Sequence, residues 1–192
     1  MEDIIKKQTD DPVNANTFEH VWAALGRLEK TVAETREDMS KTVADLSKNL
    51  GGLGNLQGRL TEAMFEPELC AKFYEIGFSF DSQSSRHKFS VNGRSIAEAD
   101  FFLQNGEYTM AVEVKTELST GDVDEHIERL AKIREYMDTR NDKRKLVGAI
   151  AGEIVAENVL NYAQKKGLYI LKQTGDCVAI AEPPYNFKQQ EW

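Results

Sequence analysis

The sequence predicts an α/β protein in which a long N-terminal helix precedes a mixed β-sheet flanked by helices. Three observations carry this. A heptad array runs without a slip from Phe18 to Leu60. Beyond about Asn55 the pattern changes to short apolar runs of strand character, separated by helical segments and turn signals. Those segments follow the order helix, three strands, helix, strand, helix, strand, which implies a hairpin meander followed by βαβ crossovers.

In the first region, steps of three and four from Phe18 give Val21, Leu25, Leu28, Val32, Thr35, Met39, Thr42, Leu46, Asn49, Leu53, Leu56 and Leu60. A repeat of about 3.5 residues held this long marks a coiled coil rather than a single surface helix. Residues 18–60 are therefore expected to mediate self-association; the alternative is one long helix folded back on its own domain. Thr35, Thr42 and Asn49 weaken the seam, and such residues can specify register or oligomer state. A helix from Phe18 to Leu50 spans roughly 50 Å. Residues before Phe18 are polar and expected to fray. Gly51, Gly52 and Gly54 predict a break or hinge, because each costs about 1 kcal/mol inside a helix. The heptad phase nonetheless carries through to Leu60, which leaves a continuous helix open. The boundary falls here, dividing residues 1–54, tail and coiled coil, from a domain at 55–192.

In the second region, residues 55–76 read as an amphipathic helix stopped by Gly77, and Pro67 makes it kinked or two helices. Phe78 to Phe80 and Lys88 to Val91 are strand-like, and Asn92-Gly93 is a two-residue hairpin signal. Ile96 to Leu103 and Tyr108 to Thr116 are strands around the Asn105-Gly106 turn. Residues 122–138 form a helix with Ile127, Leu130, Ile133 or Arg134, and Met137 on one face. A short strand at Lys145 to Ala151, a helix at Glu157 to Lys166, and strands at Leu168 to Leu171 and Cys177 to Ala181 complete the order.

The net charge is −8. This counts against strong non-specific binding to nucleic acid, although a basic cleft on an acidic body is compatible with it. Cys70 and Cys177 show no metal-binding spacing and read as buried thiols in a reducing compartment. No segment approaches the roughly 18 apolar residues of a membrane span. A cytoplasmic protein with no membrane contact is expected.

The chemistry concentrates in Ala97-Glu98-Ala99-Asp100-Phe101-Phe102-Leu103 and Ala111-Val112-Glu113-Val114-Lys115-Thr116. Residues two apart on a strand share a face, so Glu113 and Lys115 project together while Val112 and Val114 face the core. The hairpin brings Asp100 beside Glu113 with a small register offset. Adjacent carboxylates repel, and are tolerated when a divalent cation sits between them. Oxygen ligands without histidine or cysteine favour Mg²⁺ or Mn²⁺. Lys115 adds a cation that can orient water or stabilise charge on a phosphoryl centre. A Glu-x-Lys triplet alone is also a common surface salt bridge; the upstream Asp, the hairpin and the following helix distinguish this one.

Asp100, Glu113-Val114-Lys115 and the order of elements resemble the PD-(D/E)xK nuclease superfamily, with the restriction-endonuclease-like fold. The resemblance covers roughly residues 55–182. A closer likeness is to uncharacterised bacterial proteins with an N-terminal coiled coil before such a domain, carried by Gly148-Ala149-Ile150-Ala151-Gly152 and Ala163-Gln164-Lys165-Lys166-Gly167-Leu168-Tyr169. The resemblance implies a core of helix, three strands, helix and strand (αβββαβ), one or two Mg²⁺ ions, and hydrolysis of a nucleic-acid phosphodiester. It matches Asp100 and Glu113 to the metal carboxylates and Lys115 to the catalytic lysine. Ala99 stands where the full motif has proline, a position many members vary. A further acidic residue is often found on the first helix; Glu62 or Glu66 matches it, and Glu62 is preferred. Glu98 shares the Asp100 face by parity and is a supporting candidate.

For substrate, Arg86, His87 and Lys88 precede the second strand, and Arg140, Lys143, Arg144 and Lys145 follow the helix after the catalytic strand. Arg86, Lys88, Arg129 and Arg144 are candidate phosphate ligands, against the alternative of solvated cations at element ends. His126 is a candidate base for which the superfamily has no need. The expected function is a metal-dependent nuclease acting on DNA, or on RNA, as a coiled-coil oligomer. The alternative is an inactive nuclease-fold protein that binds nucleic acid or acts as a scaffold.

Overall fold

The computed structural model describes residues 12–175 and 177–192, with side chains from Phe18 onward except at 176 and 177. The chain divides into two compact units, one ending at Leu53 and one comprising Gly54–Trp192.

The first helix, α1, is Pro12–Phe65. It is helical before Phe18, where fraying was expected, and Pro12 suits a helix start because its missing N–H needs no partner there. The helix runs through Gly51, Gly52 and Gly54 without the expected break. Glycine lowers helix stability but removes no donor and introduces no clash, so the flanking turns carry the helix through. Seam residues Phe18, Val21, Leu25, Leu28, Val32, Met39, Leu46 and Leu53 are 45–65% exposed, so an apolar stripe lies open along the first unit. Thr35 and Thr42 donate their hydroxyls to the carbonyls of Thr31 and Asp38, so neither needs a partner across a seam.

Pro67 produces two helices rather than a kink: α1 ends at Phe65 and α2 is Leu69–Glu75. Gly77, at φ +101°, then reverses the chain in a conformation that disfavours a Cβ. Phe78 to Phe80 is not a strand. Phe78 and Phe80 instead stack at 5.6 Å, and Phe73, Tyr108 and Tyr169 meet Phe78 edge-on. Burial of aromatic rings, not strand pairing, explains that alternation.

The sheet comprises β1 (Ser82–Val91), β2 (Arg94–Gln104), β3 (Tyr108–Leu118), β4 (Lys145–Val155), β5 (Tyr169–Thr174) and β6 (Cys177–Ile180), in spatial order 1-2-3-4-5-6. β1/β2, β2/β3 and β5/β6 pair antiparallel; β3/β4 and β4/β5 pair parallel. The parallel pairs require crossovers, supplied by α3 (Thr120–Thr139) and α4 (Glu157–Lys165). Asn92 and Gly93 take φ +51° and +77° between Val91 and Arg94, as the favoured two-residue hairpin turn demands. The Asn105-Gly106 connection is longer than a tight turn. Asn105 Oδ1 accepts from the Glu107 and Tyr108 amides at 2.8 and 2.6 Å, so its side chain closes the loop.

Both sheet faces are covered. Val123, Leu130, Ile133 and Met137 of α3 and Val159 and Ala163 of α4 pack on one face with Leu118, Leu146 and Ile150. Phe65, Leu69 and Phe73 pack on the other with Met110, Val112, Val114 and Val147. The buried α3 stripe includes His126, while Ile127 is only partly buried. A Cβ at Gly148 would lie 2.5 Å from the terminal carbons of both Leu130 and Leu168, which are fully buried. Gly148→Ala is therefore expected to lower stability by about 1–3 kcal/mol, read as an earlier urea midpoint. Among the described residues, no helix is long and apolar enough to cross a membrane.

Candidate functional site

The β2–β3 ladder stops at Phe101 opposite Val112. One further pair would set Asp100 against Glu113, but the strands part there, and β3 continues alongside β4 as far as Leu118 opposite Val155. β2 also changes face at this point: Ala97 and Ala99 belong to the α3 side, Phe101 and Leu103 to the α2 side. Asp100 sits at this change. Its Oδ2 accepts the Val114 amide at 2.7 Å, taking over a backbone donor at the fork. On the other edge of β2, the ladder skips Arg86 opposite Asp100, and Arg86 takes φ +49°. Such a conformation is uncommon for a residue with a side chain, and it marks functional sites more often than ordinary strand.

Glu113 lies on the face covered by α3 and is 6% exposed. A buried carboxylate needs charged partners. Arg129 Nη1, from α3, bonds Oε2, and Lys115 Nζ lies 3.2 Å from Oε1. Lys115 Nζ also lies 3.6 Å from Asp122. Asp122 forms a capping box with Ser119 at the start of α3, so one residue both begins the helix and holds the lysine. Burial works to depress the Lys115 ammonium, but Glu113 and Asp122 outweigh it and raise its pKa. The Asp100 carboxyl is pushed up to about 6, first by burial and then by the charge of Glu113, against the stabilising Val114 amide.

Glu62, in the last turns of α1, accepts from Arg86 Nε and Nη2 at 3.1 and 2.9 Å, and its charge is felt at Asp100. Glu66, one turn on, accepts from Ser85 Oγ at 2.5 Å. Both line a cleft of about 200 Å³ with Arg59, Ser85, Arg86 and Phe101. Thr61 donates to Gln57 O, so at its 3.1 Å contact with Thr116 it accepts. This joins the helix that carries Glu62 to the strand that carries Lys115.

The structure thus brings together Asp100, Glu113, Lys115, Glu62, Arg86 and Arg129. It does not bring in the others. Lys88 pairs with Glu98 at 3.6 Å on the outer hairpin. Arg144 pairs with Asp142 and donates to Gln104 at 2.9 Å, where β3 and β4 begin rather than at the fork. Lys145 contacts Glu107, Glu191 and Tyr108, and Arg140 lies 5.2 Å from the Tyr136 ring. His126 is fully buried, with neither ring nitrogen in a well-formed hydrogen bond, which places it in the core. Sequence reasoning did not single out Asp122. Its spacing from His126 and Arg129, steps of four and three, is the signal that sets all three on one stripe of α3.

Among the described residues, no group of three or more His, Cys, Asp or Glu side chains is gathered as a metal cluster. The oxygen donors at the fork are the pair Asp100 and Glu113. Cys70 is free and donates to Gln83 Oε1 at 3.3 Å; burial raises its thiol pKa. The side chain of Cys177 lies outside the described residues.

No protein-family model and no curated protein matches the sequence. The chain is similar to the crystal structure of the small subunit (R.BspD6I2) of the heterodimeric restriction endonuclease R.BspD6I, with a TM-score of 0.33 and 13% identity. That similarity covers 56% of this chain and 61% of that subunit.

Proposed function

We propose that residues 55–192 form a PD-(D/E)xK-type, restriction-endonuclease-like domain that hydrolyses nucleic-acid phosphodiesters, DNA before RNA, with Mg²⁺ or Mn²⁺. The observation that carries this reading is the convergence of Asp100, Glu113 and Lys115 where β2 and β3 part. The donor set fits such an ion. It is oxygen only, and Mg²⁺ is commonly held by one or two carboxylates, completed by waters and substrate phosphates. The raised Asp100 carboxyl is consistent with the fit, because burial first and the Glu113 charge second disfavour a bare carboxylate there. Asp100 and Glu113 would hold the ion, which when bound supplies Lewis-acid stabilisation of phosphoryl charge. Lys115, with its side chain 34% exposed and its ammonium between Glu113 and Asp122, can orient a water or bond a phosphoryl oxygen. Glu62 holds Arg86 beside Asp100, where a phosphate would meet the guanidinium.

The test is cleavage of plasmid, single-stranded DNA and RNA with and without Mg²⁺ or Mn²⁺, beside Asp100→Ala and Lys115→Ala. Metal-dependent cleavage by the parent, lost in both variants, is expected. One observation favours a second reading, a nuclease-fold protein that binds or scaffolds without cutting. Arg86, Lys88, Arg129 and Arg144 are all engaged by carboxylates, on a chain of net charge −8. Binding without cleavage on every substrate would select it.

We infer also that residues 18–60 pair with a second copy as a coiled coil. The exposed stripe and the internally satisfied Thr35 and Thr42 hydroxyls support this. Light scattering should give a mass of at least two chains, falling to one for Leu25→Glu/Leu28→Glu with the far-UV spectrum of the second unit retained. A monomeric parent at tens of micromolar, well above the Kd of a stable dimer, would end this reading. A cytoplasmic setting belongs to the same proposal and suits the free Cys70 thiol.

A further inference from the structure

We infer that Arg129 is the resident counter-ion of Glu113, which a divalent cation must displace to reach that carboxylate. The inference rests on the metal site proposed above and assigns Arg129 a role other than phosphate binding. Both oxygens of Glu113 are occupied: Lys115 holds Oε1 at 3.2 Å and Arg129 bonds Oε2. The carboxylate is almost closed to solvent, with 8% of its side chain exposed, so a third cation must compete with these two for it. An ion bonded to Oε2 at about 2.0–2.6 Å would crowd the guanidinium that bonds the same oxygen, and like charges that close repel strongly inside a protein.

Arg129 is the cation built to leave. Lys115 has a second anchor in Asp122 at 3.6 Å, itself fixed by the capping box of α3. Arg129 has Glu113 as its one ion-pair partner among the described residues. It also borders a cleft of about 210 Å³ lined by Ile96, Ala97, Glu125, Glu128 and Lys132. Glu125 stands four residues back on the same helix and is exposed, at a spacing where Glu–Arg pairs form readily. A released guanidinium therefore has both room and a carboxylate within one turn. Without an ion, Arg129 lets Glu113 stay charged and buried; with one, it steps aside.

The test is Mn²⁺ binding to the full chain without nucleic acid, followed by the loss of the free-ion paramagnetic resonance signal. Parent, Arg129→Gln, Arg129→Lys and Asp100→Asn are compared. Arg129→Gln is expected to bind Mn²⁺ at least roughly tenfold more tightly than the parent, because the competing charge is gone. Arg129→Lys, which keeps charge without the planar fork, should fall between them. Thermal melting provides a second reading. Mn²⁺ should raise the Tm of Arg129→Gln by more than that of the parent, including when the ion-free variant is poorly folded. Equal or weaker binding by Arg129→Gln, with binding lost in Asp100→Asn, overturns the displacement and leaves the metal site standing. No Mn²⁺ uptake by any folded form overturns the metal site and this inference together.

Discussion

Replacing His126 by leucine is expected to leave the protein more stable than its parent below pH 6.5, by a margin that widens by about 1.4 kcal/mol per pH unit down to about pH 3. His126 is fully buried, and burial pushes its imidazole down from 6.5 to about 3; Arg129 and Lys115 add repulsion, while the backbone at Ala111 and Ala149 opposes it. Between those pH values the unfolded chain carries a proton on this side chain and the native state does not, so acid favours unfolding. At neutral pH, leucine replaces a buried ring that lacks good hydrogen bonds with an apolar group of similar size, and stability should be unchanged or raised. Asp100 acts in the opposite sense. Its carboxyl binds a proton in the native state at about 6, against 3.8 in the unfolded chain, so this group favours folding as pH falls through that window. The two contributions offset each other in the parent between about 3.8 and 6, which hides both. Urea titrations of parent and His126→Leu at several pH values separate them. A margin independent of pH would show that His126 is not held neutral.

If the domain is the nuclease proposed above, Lys115→Met is expected to lower its cleavage rate by on the order of 100- to 1,000-fold while leaving affinity for DNA nearly unchanged. The ammonium lies 3.2 Å from Glu113, one of the two carboxylates proposed above to hold the ion, rather than on an outer binding surface, so under that proposal its contribution belongs to the reacting phosphate. The fold should tolerate the change, since Arg129 still compensates Glu113 and Asp122 keeps its bonds to Ser119. Single-turnover rates beside filter-binding affinities test this. A loss of affinity that accounts for the whole fall in rate would make Lys115 a binding residue.

Much of the second unit can be read from local pattern, because its strands and helices are bounded by residues with a single conformational meaning. Asn92-Gly93, Gly77 and Pro67 each force the turn or break they mark. Parity on β3 places Glu113 with Lys115, and the structure sets Val112 and Val114 on the opposite, packed face. Where pattern misled, burial or cooperativity decided: Phe78 and Phe80 alternate like a strand yet stack as rings, and three glycines fail to interrupt α1. Arg129 and Arg86 were visible only as cations. That each is committed to a glutamate follows from how α3 and α1 pack on the two sheet faces, a tertiary fact that spacing along the chain does not encode.

The Val114 amide offers a spectroscopic consequence. Where β2 leaves β3, this N–H points at a carboxylate instead of a strand carbonyl, so its proton reports directly on Asp100. Charge-assisted bonds are shorter and more polarised than neutral ones. The Val114 resonance should therefore move downfield as Asp100 ionises, tracing a titration centred near 6. If Asp100 holds the ion as proposed, adding diamagnetic Mg²⁺ would shift that curve toward lower pH. One backbone signal would then follow occupancy of the centre in solution, with no substrate and no turnover required.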